Sequence, residues 1–436
     1  MDKATRPTTG LGVAAGVVVA VTYWIGSGRA FGYDAAVTVA HFVRTPSLLD
    51  PFRRQVVYNN HVAFSFLEHL MYSVTGDATE RTMRVLPILF AAACVGVLVA
   101  SLAARTQTWI AVTSGALLAA NPMFIVTARE PRGYSLLCLC AVASTSLLLR
   151  LERRASLPLG AAYVGLLTLG VATHLYMVLV LAGQIVFVAV RGRLSIRWTL
   201  LWFAGVLTGG AAYLGIISTM RSTDRGRLLH LAFPRELMVS LTGQATLAIA
   251  VVTVGVAIAL WRVRRDRAAQ ALALLYLAVF ATLWLVVAPR DLYPRFFVWA
   301  LPAVALGAAT GLAQLRARRV ATGAVVLACV AMLWSVSASL TVDEFSNRAV
   351  APVVRAAQAR GERVCGLGTS TEALSVYASN VAPVYSAEAM NSCDMLVALT
   401  PADDSSLVEQ ARERYTKVTI VEASTRAVIF SEANGS

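Results

Sequence analysis

The sequence Ser27-Gly28-Arg29-Ala30-Phe31-Gly32-Tyr33-Asp34 opens a polar interval that extends to about residue 84. It follows an apolar run at 11–25, and most of the chain from residue 85 to about residue 340 consists of further apolar runs. Runs of about 17–25 apolar residues have the length of a membrane-spanning helix. The pattern therefore predicts a membrane protein with one long loop, residues 27–84, after its first span.

The later apolar runs predict ten more spans, which gives about eleven in total. Together they predict an all-α polytopic bundle over residues 1–341. The two shortest runs also fit one bent segment around His174, so both interpretations stay open. The predicted later spans lie near 85–104, 108–126, 134–150, 158–173, 175–190, 199–219, 238–261, 270–288, 296–314 and 320–339.

Composition and charge agree with a membrane protein. The 436 residues are 57% hydrophobic and 14% charged, with a mean hydropathy of +0.66, whereas soluble domains carry roughly 25% charged residues. Residues 1–341 hold 30 Lys and Arg against 12 Asp and Glu, and residues 342–436 hold 8 against 12. The basic excess lies in the membrane part, where it favours topology signals and anionic ligands over nucleic acid.

The distribution of cations predicts the orientation in the plasma (inner) membrane. Cytoplasmic loops are enriched in Lys and Arg, most strongly where the loops are short. We therefore predict a cytoplasmic N-terminus, and an odd number of spans then places residues 342–436 outside the cytoplasm. The short predicted turns with clustered cations are 150–154, 191–197, 262–267 and 316–319.

Residues 342–436 have the pattern of a small α/β domain. Amphipathic segments predict helices at 349–360, 371–379 and 405–415, and short apolar runs predict strands at 363–366, 395–399, 418–421 and 427–430. Cys365 and Cys393 lie in this part. They would form a disulfide if the domain is outside the cytoplasm, and they would stay thiols if it is inside.

Polar residues that a plain helix bundle does not need occur in several predicted loops on the non-cytoplasmic side. A carboxylate can accept the proton of an attacking hydroxyl, and arginine side chains can hold a phosphate as it leaves. The candidate residues are Asp34; Asn60, His61, Glu68 and His69; Arg129, Glu130, Arg132 and Tyr134; His174; and Arg290, Tyr293 and Arg295.

Each candidate also has a plain structural interpretation. Asp34 fits a helix-end residue in contact with solvent, and Glu68 fits a surface or interfacial position. Arginines at the ends of spans commonly extend toward lipid headgroups. The common location of these groups favours a functional interpretation: a cleft that binds a charged headgroup.

Several short motifs carry a resemblance to a known family. They are Tyr33-Asp34 after the first span, Asn59-Asn60-His61-Val62-Ala63, the loosely spaced Gly76, Arg84 and Pro87, the segment Ala128-Arg129-Glu130-Pro131-Arg132-Gly133-Tyr134, and Arg295-Phe296-Phe297 with Pro302. Together they resemble the GT-C superfamily of membrane glycosyltransferases. The similarity is greatest to the branch of protein O-mannosyltransferases and lipid A aminoarabinose transferase.

This resemblance implies a polyprenyl-phosphate-linked sugar as donor. It also implies that Asp34 is catalytic and that Arg132, Tyr134 and Arg295 lie near the donor phosphate. Two features depart from the family. Ala35 replaces a second acid, so a divalent metal held by two acids lacks a ligand here and no cofactor is firmly predicted. The two prolines that usually follow the histidine are also absent.

The sequence thus predicts a bacterial inverting glycosyltransferase that transfers a hexose or pentose to a hydroxyl of an envelope glycan, lipid or protein. Arg129 joins Arg132, Tyr134 and Arg295 as a predicted donor-phosphate residue. The other candidates for substrate binding are Asn60, His61, Glu130, His174, Arg290 and Tyr293. A transporter or flippase for an anionic lipid is the alternative function, and it predicts helices broken at mid-membrane, for which Pro122 is the main candidate.

Overall fold

A computed structural model describes residues 5–53, 61–216, 232–284, 293–341, 347–368, 370–378, 380–399, 405–422 and 426–431. The helices up to residue 341 are α1 (Thr5–Trp24), α2 (Tyr33–Thr38), α3 (Asp50–Arg53), α4 (Val62–Thr75), α5 (Val85–Ala103), α6 (Thr108–Ala120), α7 (Pro122–Ala128), α8 (Tyr134–Leu151), α9 (Leu157–Thr173), α10 (Met177–Val190), α11 (Ile196–Gly210), α12 (Phe233–Thr242), α13 (Thr246–Val263), α14 (Arg267–Thr282), α15 (Leu301–Leu312) and α16 (Arg318–Thr341).

Shorter helical turns extend some of these elements. Helix α2 continues directly into a π-helical stretch, Val39–Val43. Among the described residues, 3-10 turns cover Thr82–Arg84, Ala211–Tyr213 and Pro294–Ala300. The last of these leads into α15, so the predicted span at 296–314 is part 3-10 turn and part α-helix.

The C-terminal part forms the predicted α/β arrangement. Its elements are α17 (Asn347–Ala359), β1 (Val364–Leu367), α18 (Ser370–Ser375), β2 (Ala382–Val384), α19 (Ala387–Met390), β3 (Met395–Ala398), α20 (Ser405–Arg414), β4 (Lys417–Glu422) and β5 (Arg426–Ser431).

The strands form one five-stranded sheet in the order β2-β1-β3-β5-β4. Strand β1 pairs in parallel with β2 and β3, and β5 pairs antiparallel with β3 and β4. One apolar cluster contains Val350, Val354 and Leu374, and another contains Leu396, Val408 and Phe430. The sheet is therefore mixed. Parallel strands need crossover connections, which the helices supply between β1, β2 and β3, whereas the antiparallel β4 and β5 form a hairpin.

Cys365 and Cys393 form a disulfide in this sheet domain, with their Cα atoms 5.9 Å apart. Cys365 belongs to β1 and Cys393 comes shortly before β3. The bond therefore joins β1 to the residues that lead into the adjacent parallel strand β3.

Contacts divide the chain into two compact units. The first unit consists of Met1–Ile25, His61–Phe64 and Val85–Ser337, and the second consists of Gly26–Asn60, Ser65–Arg84 and Ala338–Ser436. The predicted division at residue 341 lies close to the boundary at Ser337. In addition, the structure groups most of the first loop with the C-terminal part.

The first unit is built from apolar helices. In the described residues, five helices are long and apolar enough to cross a membrane, and the bent pair of α6 and α7 makes a sixth if it is counted as one span. Shorter apolar helices occur at Thr8–Trp24, Leu157–Thr173, Met177–Val190 and Arg267–Thr282. The chain is a multi-pass membrane protein, as its sequence predicts.

Two predicted spans are interrupted. The span at 108–126 bends by 65° between α6 and α7, where Asn121 caps the second helix through the N–H groups of Met123 and Phe124. The predicted span at 238–261 is two helices, α12 and α13, separated at Gly243 and Gln244. Both of these residues have positive φ, at 116° and 60°. The hydropathy pattern does not predict this break between α12 and α13, because one Gly and one Gln do not interrupt a long apolar run.

The turns at one end of the first unit contain exposed cations. Glu152, after α8, lies 3.8 Å from both Arg191 and Arg193, which follow α10. At the same set of turns, Arg318 donates a hydrogen bond to Gln107 at the start of α6. The first two contacts bring together the turns at 150–154 and 191–197, which the sequence assigns to the cytoplasmic side.

Candidate active site

Arg132 is the centre of a buried polar cluster in the first unit. It lies between α7 and α8 and is completely buried. Its Nε and Nη2 groups both point at Nε2 of His61, at 3.2 and 2.9 Å. Its guanidinium carbon lies 5.2 Å from the ring centre of Tyr134. A guanidinium placed this way is a fixed positive charge in a site with little water, where charge interactions are strong.

Gly133 allows this loop to pack closely. A Cβ atom at this position would lie within 2.4 Å of Cγ2 of Thr173 and 3.1 Å from the Cβ atoms of His61 and Phe64. The backbone between Arg132 and Tyr134 therefore fits against the end of α9 and the start of α4 only because residue 133 has no side chain. This contact brings the segments of His61 and Arg132 together.

Two histidines beside Arg132 are neutral. Burial, reinforced by the positive charge of Arg132, lowers the pKa of His61 well below its usual value. Burial and then Arg132 also lower the pKa of His174 to about 3. Nε2 of His61 accepts from Arg132, so the neutral ring carries its proton on Nδ1. Nδ1 of His174 accepts from the backbone N–H of Tyr176, which leaves Nε2–H of His174 as a donor.

Aromatic rings surround the histidines. The ring centres of His61 and His174 are 5.0 Å apart, and Tyr134 lies 4.8 Å from His61. Tyr176 stacks on Phe296 at 5.6 Å, and Phe296 also lies 6.0 Å from His174. These edge-to-face and offset contacts fix ring orientations. The turns before α8, α10 and α15 therefore meet at one end of the first unit.

Arg295 belongs to the same end of the first unit. Its guanidinium lies 4.7 Å from the ring centre of Tyr293, which is 47% exposed. Its charge contributes to lowering the pKa of His61, after burial and the nearer groups. The structure thus groups Arg132, Tyr134, His61, His174 and Arg295.

Arg129 has a different position from Arg132. It is 6% exposed, and its Nη2 donates to the carbonyl oxygen of Ile25 at 2.6 Å. This bond ties the end of α7 to the end of α1. The carbonyl oxygen of Glu130 accepts the N–H of Arg132 at 2.7 Å. Arg129 therefore helps to hold the loop between α7 and α8 in place. Its proposed binding of the donor phosphate stays a prediction.

Asp34 lies in the second unit. It is half-buried in the first turn of α2, which begins after Gly32 in an extended conformation. The hydroxyl of Thr38 donates to the Asp34 carbonyl oxygen at 3.0 Å. Arg84 donates to the carbonyl oxygens of Ser27, Arg29 and Ala30, and so holds the segment that precedes this helix. The role of Asp34 as catalytic base stays a prediction.

Glu68 and His69 lie on α4 and are both buried. The interpretation of Glu68 as a surface residue is wrong, since it is 0% exposed. Neither carboxyl oxygen has a hydrogen-bond partner among the described residues, and burial raises the pKa of Glu68 well above its usual value. Nδ1 of His69 is hydrogen-bonded to the carbonyl oxygen of Val43 at 2.6 Å. His69 is therefore a buried side chain with a hydrogen-bond partner.

Asn60 and Arg290 lie outside the described residues. Sequence reasoning missed Tyr176 and Phe296. Tyr176 follows the helix break at His174, and Phe296 belongs to the quoted Arg295-Phe296-Phe297 motif, so motif position was the available signal. In the part of the chain that the structure describes, no three His, Cys, Asp or Glu side chains are grouped to hold a metal ion.

Two crystal structures of ArnT from Cupriavidus metallidurans are similar to this chain. The structure bound to undecaprenyl phosphate gives a TM-score of 0.62 at 15% sequence identity, over 97% of this chain and 98% of ArnT. The apo structure gives 0.63 at 14% identity, over 96% and 97%. No protein-family model and no curated protein matches.

The chain has the ArnT fold. The predicted fold, an all-α polytopic bundle with a small C-terminal α/β domain, is therefore confirmed. The similarity to ArnT extends over nearly the full length of both proteins, so it includes the sheet domain as well as the apolar helices. At 15% identity it relates the folds and not the individual side chains.

Proposed function

We propose that the chain is an integral membrane glycosyltransferase. It transfers a sugar from a polyprenyl-phosphate carrier to a hydroxyl group of a cell-envelope acceptor at the outer face of the plasma membrane, with inversion at the anomeric carbon. The N-terminus is cytoplasmic and the sheet domain is extracytoplasmic. The observation that carries the proposal is the full-length similarity to ArnT, one structure of which is bound to undecaprenyl phosphate.

The Arg132 cluster supports an anionic substrate. A completely buried guanidinium beside two neutral imidazoles supplies a positive charge for such a substrate. The hydroxyls of Ser135 and Thr173 are buried nearby on α8 and α9 and have no hydrogen-bond partner among the described residues. Buried polar groups in proteins usually have partners. A phosphate or a sugar hydroxyl would supply them here.

The proposed reaction uses these groups together with Asp34. The Asp34 carboxylate accepts the proton of the acceptor hydroxyl. The hydroxyl oxygen forms a bond to the anomeric carbon as the bond from that carbon to the carrier phosphate breaks. The phosphate leaves with the electron pair, and Arg132 and Arg295 stabilise its developing charge. Nε2–H of His174 can donate to the same phosphate, since its ring is neutral.

Transfer by purified protein in lipid tests this function. The protein is incubated with radiolabelled polyprenyl-phosphate sugars and with lipid or glycan acceptors, and the label in the acceptor is measured. Wild type is expected to transfer label, and Asp34→Asn is expected to lose about 100-fold or more of the rate, as general-base catalysis contributes about 10²–10⁴-fold.

Asp266→Asn is the matched control. Asp266 caps α14 through the N–H of Ala269 at 2.9 Å, and Asn caps a helix about as well as Asp. This variant is expected to keep the wild-type rate. Equal rates in wild type and Asp34→Asn would contradict the assignment of the base, and no transfer from any polyprenyl-phosphate sugar would contradict the proposed function.

A transporter or flippase of an anionic lipid is the second candidate. The two interrupted helix pairs favour it, because broken helices line substrate sites in many transporters. Nδ2 of Asn121, at the first break, donates to the carbonyl oxygens of Ser240 and Leu241 just before the second. Movement of a labelled lipid-linked sugar across vesicles without transfer to any acceptor would favour this function.

A further inference from the structure

The segment that carries Asp34 packs against the C-terminal domain within the second unit. Phe31, Ala35 and Ala36 share an apolar cluster with Val376, which follows α18. Tyr33 packs on the apolar cluster that includes Val350. The candidate base thus lies on a helix that receives part of its apolar contacts from residues more than 300 positions later in the chain.

Tyr377 makes the most specific polar contact with this segment. Its hydroxyl accepts the backbone N–H of Phe31 at 2.7 Å and donates to Oε1 of Glu80 at 3.0 Å. Its ring centre lies 6.3 Å from that of Phe31. Burial, with the negative charge of Glu80, raises the pKa of Tyr377 above its usual value, so the hydroxyl keeps the proton that it donates.

Two arginines extend this attachment on either side. Arg348 binds Oε1 of Glu80 and the carbonyl oxygen of Gly28, each at 2.5 Å. Arg44, which follows the π-helical stretch, donates to the carbonyl oxygen of Val376 at 2.7 Å. The segment is therefore held by the C-terminal domain before α2, at its start and after its end.

We infer that the C-terminal domain fixes the helix of Asp34 through Tyr377, which acts as a positioning residue for the proposed transfer. A hydrogen bond to the backbone N–H of Phe31 sets where the chain enters α2. Glu80 in turn orients the Tyr377 hydroxyl. The catalytic part of this inference rests on the function proposed above, whereas the attachment of the helix does not.

Tyr377→Phe tests the inference because it removes one oxygen atom and keeps the ring. Amide hydrogen exchange of residues 31–39 is measured together with kcat and with binding of radiolabelled polyprenyl phosphate. Exchange in this segment is expected to be faster, and kcat is expected to fall by about tenfold or more, since a displacement of about 1 Å can cost about 100-fold. Binding of the polyprenyl phosphate is expected to be unchanged.

Tyr385→Phe is the control, because Tyr385 lies in the same domain and is 67% exposed. It is expected to match wild type in exchange, rate and binding. Glu80→Gln is the second variant. It keeps an oxygen for the Tyr377 hydroxyl and loses the charge that holds Arg348, so smaller changes in the same direction are expected.

Amide hydrogen exchange and kcat together separate the possible outcomes. Unchanged exchange at residues 31–39 in Tyr377→Phe and in Glu80→Gln would overturn the inference. Faster exchange with unchanged kcat would also overturn it, since Tyr377 would then be structural only. If wild type transfers no sugar, the proposed function fails, and exchange alone decides whether Tyr377 holds the helix.

Discussion

The two ends of the first unit use arginine in opposite ways. At one end Arg132 is completely buried and its guanidinium contacts His61 and the ring of Tyr134. At the other end Arg191 and Arg193 have side chains that are 47% and 53% exposed and share the carboxylate of Glu152. The end with Arg132 therefore buries its cation away from water, whereas the end with Arg191 and Arg193 leaves its cations exposed to water.

This difference separates a site from a topology signal. Exposed cations in short turns are what the positive-inside rule requires, and their pairing with an acid adds little energy. Burial of a charge is costly unless an interaction compensates for it. Both ends have similar numbers of arginines in the sequence, so burial, not composition, distinguishes the end at which we propose that an anion binds.

The largest effect is expected from Arg132→Gln. Removal of one charged group that stabilises a leaving phosphate should slow transfer by about 100-fold or more, by analogy with the loss of one oxyanion donor. Arg193→Gln, at the exposed end, should leave the rate within about twofold. Transfer of labelled sugar measures both, and similar losses in the two variants would erase the distinction between the ends.

Gly133→Ala is expected to have the next largest effect. The added Cβ would lie 2.4 Å from Cγ2 of Thr173, so the loop must shift, at a cost of about 1–3 kcal/mol in the free energy of unfolding. Gly165→Ala is the matched control, because a Cβ at Gly165 meets nothing within 4 Å. Thermal unfolding in detergent measures both, and a stable Gly133→Ala would show that the loop is loosely packed.

Acid should destabilise the end that contains the histidines. The folded-state pKa of His174 is lowered to about 3, so below pH about 6.5 the unfolded state binds more protons. Stability should then fall as the pH falls from about 6.5 toward about 3, by up to about 1.4 kcal/mol per pH unit for one imidazole. His174→Phe should reduce this slope in thermal unfolding, and an unchanged slope would count against a buried neutral imidazole.

Glu152→Gln should have the smallest effect. Its side chain is only 5% exposed, but its two ion pairs are long, at 3.8 Å each, and the arginine partners are about half exposed. Pairs of this kind contribute about 0–1 kcal/mol. Unfolding free energy and transfer rate should both stay close to wild type. A large loss of stability would mean that the exposed end is also built on a specific charge arrangement.

Much of the fold could be predicted because apolar runs set the helices. Strands β1, β3, β4 and β5 agree with prediction to within about one residue at each end. Strand β2 was missed, since Pro383 lies in its middle and proline argues against a strand interior. It is tolerated because β2 is an edge strand of the sheet.

The site could be predicted only in part. His61, Arg132 and Tyr134 were chosen as candidates because they match short motifs, and the structure brings them together. The burial of Glu68 could not be predicted from the sequence, because an acid on an amphipathic helix is ordinarily assigned to the exposed face. The contact of Tyr377 with Phe31 joins residues 346 positions apart, and a single sequence carries no local sign of such a pairing.

The close contact of α1 and α5 has a consequence for the order of assembly. A Cβ at Gly12 would lie 2.5 Å from the carbonyl oxygen of Gly96, and one at Gly96 would lie 2.9 Å from that of Gly12. Helix α1 thus has a surface shaped for a partner, α5, that is synthesised only after residues 26–84. Until α5 is made the glycine face of α1 lacks this partner, so the time taken to translate residues 26–84 sets the earliest moment at which the two helices can pair.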